Sequence, residues 1–101
     1  MIALFCGSRH WTDREAIATD MLDVFSRDPE AIVLHGGATG ADTIAGDVAR
    51  QWGLHVVEMR ALWDYYGRSA GPRRNAMMLR LGPEVVYAYT TGGNGTRSMI
   101  N

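Results

Sequence analysis

The sequence predicts an α/β fold: a small three-layer, Rossmann-like parallel sheet of about four strands in the order 3-2-1-4, formed by a single domain spanning residues 1–101. Three observations carry this expectation. Short apolar runs alternate with stretches whose apolar residues recur at helical spacing, the pattern of strand–helix–strand units joined by right-handed crossovers. Glycine-rich or arginine-bearing turns follow three of those runs, where a parallel sheet presents its carboxyl edge. The length of 101 residues suits one domain, large enough to bury roughly two-thirds of its unfolded surface.

Ile2–Cys6 is the first strand, and Gly7-Ser8-Arg9 follows it. Thr12-Asp13-Arg14-Glu15 has the form of a capping box, with Thr12 as cap and Glu15 three residues on. Ile17, Met21, Val24 and Phe25 then give a helical stripe to about Ser26, and Asp28-Pro29 ends it. Ala31–His35 is the second strand, leading into Gly36-Gly37-Ala38-Thr39-Gly40-Ala41-Asp42. The second helix carries Ala41, Ile44, Ala45, Val48 and Trp52, with Gly53 as a C-terminal stop. Leu54–Met59 is the third strand. Arg60–Gly71 is a long connection, and Pro72 suits the first turn of a third helix that ends at Gly82-Pro83. Val85–Thr90 is the fourth strand, and Gly95-Thr96 is placed to start a fourth helix, truncated at Asn101.

Composition excludes several classes. Hydrophobic content of 47% and a net charge of −1 describe a globular chain rather than a disordered one. No apolar run approaches the ~18 residues of a membrane span, and no signal-peptide pattern opens the chain, so a cytoplasmic location is expected. The single cysteine, Cys6, reads as a small core residue. No Cys/His/Asp cluster has metal-ligand spacing, so no metal is expected. All ten basic residues are arginine. Without lysine there is no Walker-type P-loop and no Schiff base, whereas arginine suits bidentate phosphate contacts. Near-zero net charge and the lack of a basic helix face argue against direct nucleic-acid binding.

Glycine turns between strand and helix let backbone N–H groups approach an anion. The expected ligand-binding set is therefore Gly7, Ser8, Arg9, Trp11, Gly36, Gly37, Gly40, Asp42, Trp63, Arg74, Asn75, Gly92, Gly93, Gly95 and Thr96. Arg73 and Arg74, in the first turn expected of the third helix, oppose its dipole, and a bound anion or a carboxylate such as Asp42 or Asp64 would offset this. Asp42 has three readings: a favourable charge at a helix start, a partner for a ribose hydroxyl, or a general base. Asp42 and Asp64 are the candidate catalytic groups. Trp63, Tyr65 and Tyr66 read equally as caps on the core or an oligomer contact and as a stacking platform for a base, with Trp63 or Tyr66 the stacker. His10 and His35 read as packing or hydrogen-bonding residues.

Gly7-Ser8-Arg9-His10-Trp11, the 35–42 turn, Ala61-Leu62-Trp63, the 67–75 segment Gly-Arg-Ser-Ala-Gly-Pro-Arg-Arg-Asn, and Gly92-Gly93-Asn94-Gly95-Thr96 occur in this order. As an ordered set they resemble the YspA-type, YpsA-related proteins of the SLOG superfamily, found in bacteria and phages. The resemblance implies a Rossmann-like fold and a nucleotide-derived ligand, with no obligatory cofactor. The same superfamily contains the Lonely Guy phosphoribohydrolases, whose Gly-Gly-x-Gly-Thr-x-x-Glu motif is matched at 92–96 while Met99 stands at the glutamate position. That departure disfavours inherited N-glycosidic hydrolysis and leaves phosphate binding intact. The leading expectation is a module that binds or senses a small-molecule nucleotide. The alternatives are a phosphoribohydrolase-like enzyme and a protein-interaction subunit with a vestigial pocket. Self-association, as a homodimer shielding the fourth strand, is expected because Val85–Tyr89 is apolar on both faces and would lie at a sheet edge.

Overall fold

The computed structural model describes residues 1–90 and, as backbone, the strand 97–100. The chain forms β1 (Ile2–Gly7), α1 (Arg14–Arg27), β2 (Ile32–His35), α2 (Ala41–Gln51), β3 (His55–Glu58), α3 (Trp63–Tyr66), α4 (Ala70–Arg80), β4 (Val85–Tyr89) and β5 (Arg97–Ile100), with a 3-10 turn at Gly67–Ser69 between α3 and α4. The sheet order is β3-β2-β1-β4-β5. β1 to β4 are parallel, in the expected 3-2-1-4 order, with Leu4 opposite both Leu34 and Val86 and Val33 opposite Val56.

Alternation along the strands sends successive side chains to opposite faces. Ala3, Phe5, Val33, Val85, Tyr87 and Tyr89 enter the main core, beneath Ile17, Met21 and Val24 of α1 and Ala45, Val48 and Ala49 of α2. Leu4 and Leu34 point the other way and meet Met78 of α4. In the main core Phe5 stacks on Tyr87 at 4.8 Å and lies 6.2 Å from Tyr89, which also meets Trp11 at 5.4 Å. The two tyrosines keep their hydroxyls satisfied on α1: Tyr89 donates to Asp20 (2.7 Å) and Tyr87 to Asp23 (3.2 Å). Burial, with the Asp23 hydrogen bond second, pushes the Tyr87 hydroxyl up to about 12. Α buried phenol thus serves packing and hydrogen bonding together.

The first helix is capped one residue later than expected. Asp13, not Thr12, is the N-cap, and its Oδ1 accepts the Ala16 N–H at 3.1 Å. Trp11 Nε1 donates to the Asp13 carbonyl (2.9 Å) while the indole sits in the core. That tie places Asp13, rather than Thr12, over the helix end. Gly40, with a φ of +81°, is the N-cap of α2. A side chain there would strike the Ser8 and Arg9 carbonyls, and the Ala41 N–H donates to Ser8 O at 3.1 Å. Glycine at this position therefore seats the start of α2 against the loop that leaves β1.

Two expectations are corrected. Residues 97–100 do not open a fourth helix; they pair antiparallel with β4, Val86 opposite Ile100 and Tyr89 opposite Arg97. The outer edge of β4 offers unpaired backbone groups, which pairing by residues 97–100 satisfies. Β4 is consequently flanked by β1 and β5, and the homodimer argued from an open β4 edge loses that premise. The 60–71 segment is not a plain loop either, since α3 and the 3-10 turn occupy most of it. Glycine at position 71 lets α4 approach this segment: a side-chain carbon there would come within 3.1 Å of the Trp63 ring.

The second face of the sheet is thinner. Α4 covers it, with Met78 buried, while Val57, Leu62, Met77, Leu79 and Leu81 are exposed. Among the described residues no helix is long and apolar enough to cross a membrane.

Gly7 closes β1 with a φ of +150°, and a β-carbon there would overlap the Tyr89 carbonyl oxygen, which accepts the Ser8 N–H at 2.7 Å. Substitution by alanine adds both backbone strain and a clash with β4. Gly7→Ala should cost about 1–3 kcal/mol, read as a lower urea midpoint at unchanged slope; an unaltered midpoint would show that the junction relaxes without cost.

Candidate functional site

Β2 delivers His35, Gly36 and Gly37 to the carboxyl edge of the sheet, and α2 starts four residues beyond. The Asp42 carboxylate turns back across this gap. Its Oδ2 accepts the Gly36 N–H at 2.9 Å and the Ala38 N–H at 3.4 Å, and the side chain is 3% exposed. Burial raises the Asp42 carboxyl above its ordinary range, while the Ala38 and Gly36 amides, then His35 and Arg74, hold it down. Thr43 Oγ1 donates to the Ala38 carbonyl (2.7 Å) and closes the turn from the other side.

His35 holds the middle of the same turn. Its Nδ1 accepts the Gly37 N–H at 3.0 Å, so Nδ1 carries no proton and the neutral ring is protonated on Nε2. That Nε2 has no hydrogen-bond partner among the described residues and lies 3.9 Å from Glu58 Oε1. Burial lowers the His35 pKa, with Asp42 and Glu58 opposing. Gly46 of α2 leaves room for the ring, since a β-carbon there would come within 2.9 Å of Nε2. The hydrogen-bonding reading of His35 thus holds.

The amides of Gly36, Gly37 and Ala38 are therefore engaged by Asp42 and His35. Outward-facing positive charge at this edge comes from arginine. Arg74 donates from Nη1 to the Gly36 carbonyl (2.6 Å) and from Nε to Asn75 Oδ1 (2.8 Å). A side chain at Gly36 would overlap that guanidinium as placed and come within 2.9 Å of Asp42 Oδ2. Arg60, just beyond β3, pairs with Glu58 at 2.5 Å. Arg60, Arg74, Trp63 and the 36–38 turn line a cleft of about 130 Å3. Cys6, at the end of β1, has its thiol pushed up by burial first and Asp42 second.

The structure brings Gly36, Gly37, Trp63 and Arg74 of the expected set to this cleft, with Asp42 directly beneath the turn and Asn75 orienting Arg74. Gly40 serves as the α2 cap. Gly7 and Ser8 join β1 to that cap, and Ser8 Oγ accepts the His10 N–H at 3.0 Å. Arg9 is exposed beside His10, and Trp11 is buried in the core. Asp64 is exposed in the first turn of α3. Gly92, Gly93, Gly95 and Thr96 lie outside the described residues. Arg60 was missed by the sequence reading, although its place just after a strand at the carboxyl edge was a usable signal. The dipole reasoning for Arg74 is also revised. Α4 starts at Ala70, so Arg74 sits in the second turn, where the dipole has largely faded; the Gly36 carbonyl accounts for it instead. Among the described residues no cluster of three metal-ligating side chains is present.

The family model of the YspA, cpYpsA-related SLOG proteins matches residues 1–66, from β1 through α3, including the 35–42 turn, Arg60 and Trp63. The Gene 61 protein of Mycobacterium phage D29 is 42% identical over 101 residues, covering 93% of this chain and 81% of that protein. No solved structure matches the chain.

The His35 geometry gives a pH dependence with a definite sign. Its folded pKa is depressed, so the unfolded chain takes up a proton that the folded state resists. The stabilisation is complete above the ordinary value of about 6.5 and is lost as pH falls toward the depressed folded value. His35→Asn keeps a δ acceptor for Gly37 without the titration. The stability advantage of wild type over this variant should shrink between about pH 7 and pH 5; a constant difference in denaturation across that range would refute the assignment.

Proposed function

The chain belongs to the YspA, cpYpsA-related SLOG family, and from that premise we propose that it binds or senses a nucleotide or nucleotide-derived ligand at the Arg60–Arg74 cleft. The observation that carries the reading is the pairing of Arg60 and Arg74 on one small cleft whose lining contains no carboxylate, beside the exposed Trp63 ring. Guanidinium groups match phosphate oxygens with paired N–H donors. Because Asp42 and His35 engage the turn's own amides, the arginines supply the phosphate contacts. Asp42 acts as the internal brace that holds the Gly36 carbonyl, and through it Arg74, in place.

A thermal-shift panel of nucleoside monophosphates, dinucleotides, cyclic nucleotides and ADP-ribose tests the reading. A ligand at 100 times its Kd adds about 2.7 kcal/mol to stability. Arg74→Gln should weaken the best binder by about 1.5–3 kcal/mol, with Arg60→Gln weakening it in the same direction while leaving the Gly36 contact in place. No shift with any nucleotide, or unchanged affinity in both variants, overturns the proposal.

A further inference from the structure

A second cavity adjoins the cleft, and its size and charge differ from the first. It measures about 440 Å3, lies between α3 and α4, and shares Arg60 and Arg74 with the cleft. Leu62, Tyr66 and Met77 contribute apolar wall, and Arg73 and Arg80 stand among them with no carboxylate in the lining. Arg60 contacts Glu58 through Nε and is otherwise exposed. Arg73 lies 4.3 Å over the Tyr66 ring and donates to Ser69 Oγ (3.1 Å). Arg73, Arg74 and Arg80 have no carboxylate partner among the described residues.

Volume divides the work between the two spaces. The 130 Å3 cleft falls below the ~300–1,000 Å3 range of small-molecule sites and suits a group the size of a phosphate. The 440 Å3 chamber falls within the ~300–1,000 Å3 typical of small-molecule sites. Along α4, Arg73, Met77 and Arg80 follow one another at helical spacing on one face, a span of about 10 Å. The stripe reads cation, apolar, cation. Arg80 in the last turn also suits the helix dipole, and its place in the chamber lining gives its charge a second use.

Resting on the nucleotide reading above, we propose that the α3–α4 chamber is the nucleoside compartment and that the ligand carries a second phosphate beyond the nucleoside, the chemistry of a nucleoside 3′,5′-bisphosphate. One phosphate lies between Arg60 and Arg74. The base packs on Leu62, Tyr66 and Met77. The second phosphate meets Arg80, with Arg73 beside it. The base is thereby assigned to the chamber rather than to Trp63, which lines the phosphate cleft alone.

Isothermal titration of the full chain with the 5′-monophosphates and the 3′,5′-bisphosphates of the four common ribonucleosides tests this. The best bisphosphate should bind about tenfold or more tighter than its monophosphate, the scale of one charged hydrogen bond. Arg80→Gln should abolish that preference, weakening the bisphosphate about tenfold more than the monophosphate, whereas Arg74→Gln should weaken both ligands to a similar degree. Monophosphate binding without a bisphosphate preference, or a preference that survives Arg80→Gln, overturns the chamber assignment and spares the nucleotide reading. No binding of either class overturns both. Tighter binding of a short single-stranded oligonucleotide, sensitive to Arg80→Gln, assigns the chamber to a nucleic-acid backbone and overturns the proposal.

Discussion

The Asp42 carboxylate occupies the position, at the start of α2 and beneath a glycine turn, where a nucleotide-binding loop would hold an external anion. Here the anion is built in. Two amides of the turn close on it, a third closes on His35, and the carbonyl that remains turns outward to Arg74. The orientation of one peptide plane, that of Gly36, thus links a buried acid to an arginine on a different helix. Burial makes this carboxylate costly to ionise, and the hydrogen bonds offset the cost. Removing either side of the arrangement leaves a buried polar group without its partner, which is why the turn depends so strongly on Asp42.

The sheet was legible because its signals are local and mutually consistent. Each strand is a short apolar run bounded by a turn, and the α2 stripe at 41, 44, 45 and 48 has one period. The departures arise where a distant contact decides. Asp13 displaces Thr12 as cap because the buried Trp11 indole binds the Asp13 carbonyl. Residues 97–100 become a strand because β4 offers an unpaired ladder, which local helix spacing does not reveal. Asp42 had three readings in the sequence. Its burial beneath the turn follows from the way α2 docks on Ser8, a contact across 33 positions. Arg60 was hidden for the opposite reason: its segment has no periodicity, and its value comes from facing Arg74 across space.

The two faces of the sheet differ in how they are filled. On one, two helices and four aromatic rings leave no room beside the strands. On the other, a single three-turn helix and a one-turn helix span strands of similar width, and Met78 is the main side chain that reaches the sheet. The unfilled volume collects where α3 and α4 diverge, beside the guanidinium groups. Cavity and charge coincide because Arg60 just precedes α3 and Arg73 and Arg74 lie on α4, the two elements between which the chamber opens.

The paired tyrosine–aspartate contacts between β4 and α1 have a metrical consequence. Tyr87 and Tyr89 are two residues apart on a strand, while Asp20 and Asp23 are three apart on a helix. Those steps advance about 6.6 Å and about 4.5 Å respectively. Two rulers of unequal division coincide at both marks in one alignment, as in a vernier scale. Sliding α1 by a residue or a turn along the sheet would break both marks together. The helix is therefore indexed lengthwise by hydroxyl contacts, a setting that interlocking apolar side chains alone, with their tolerance for small slips, would leave looser.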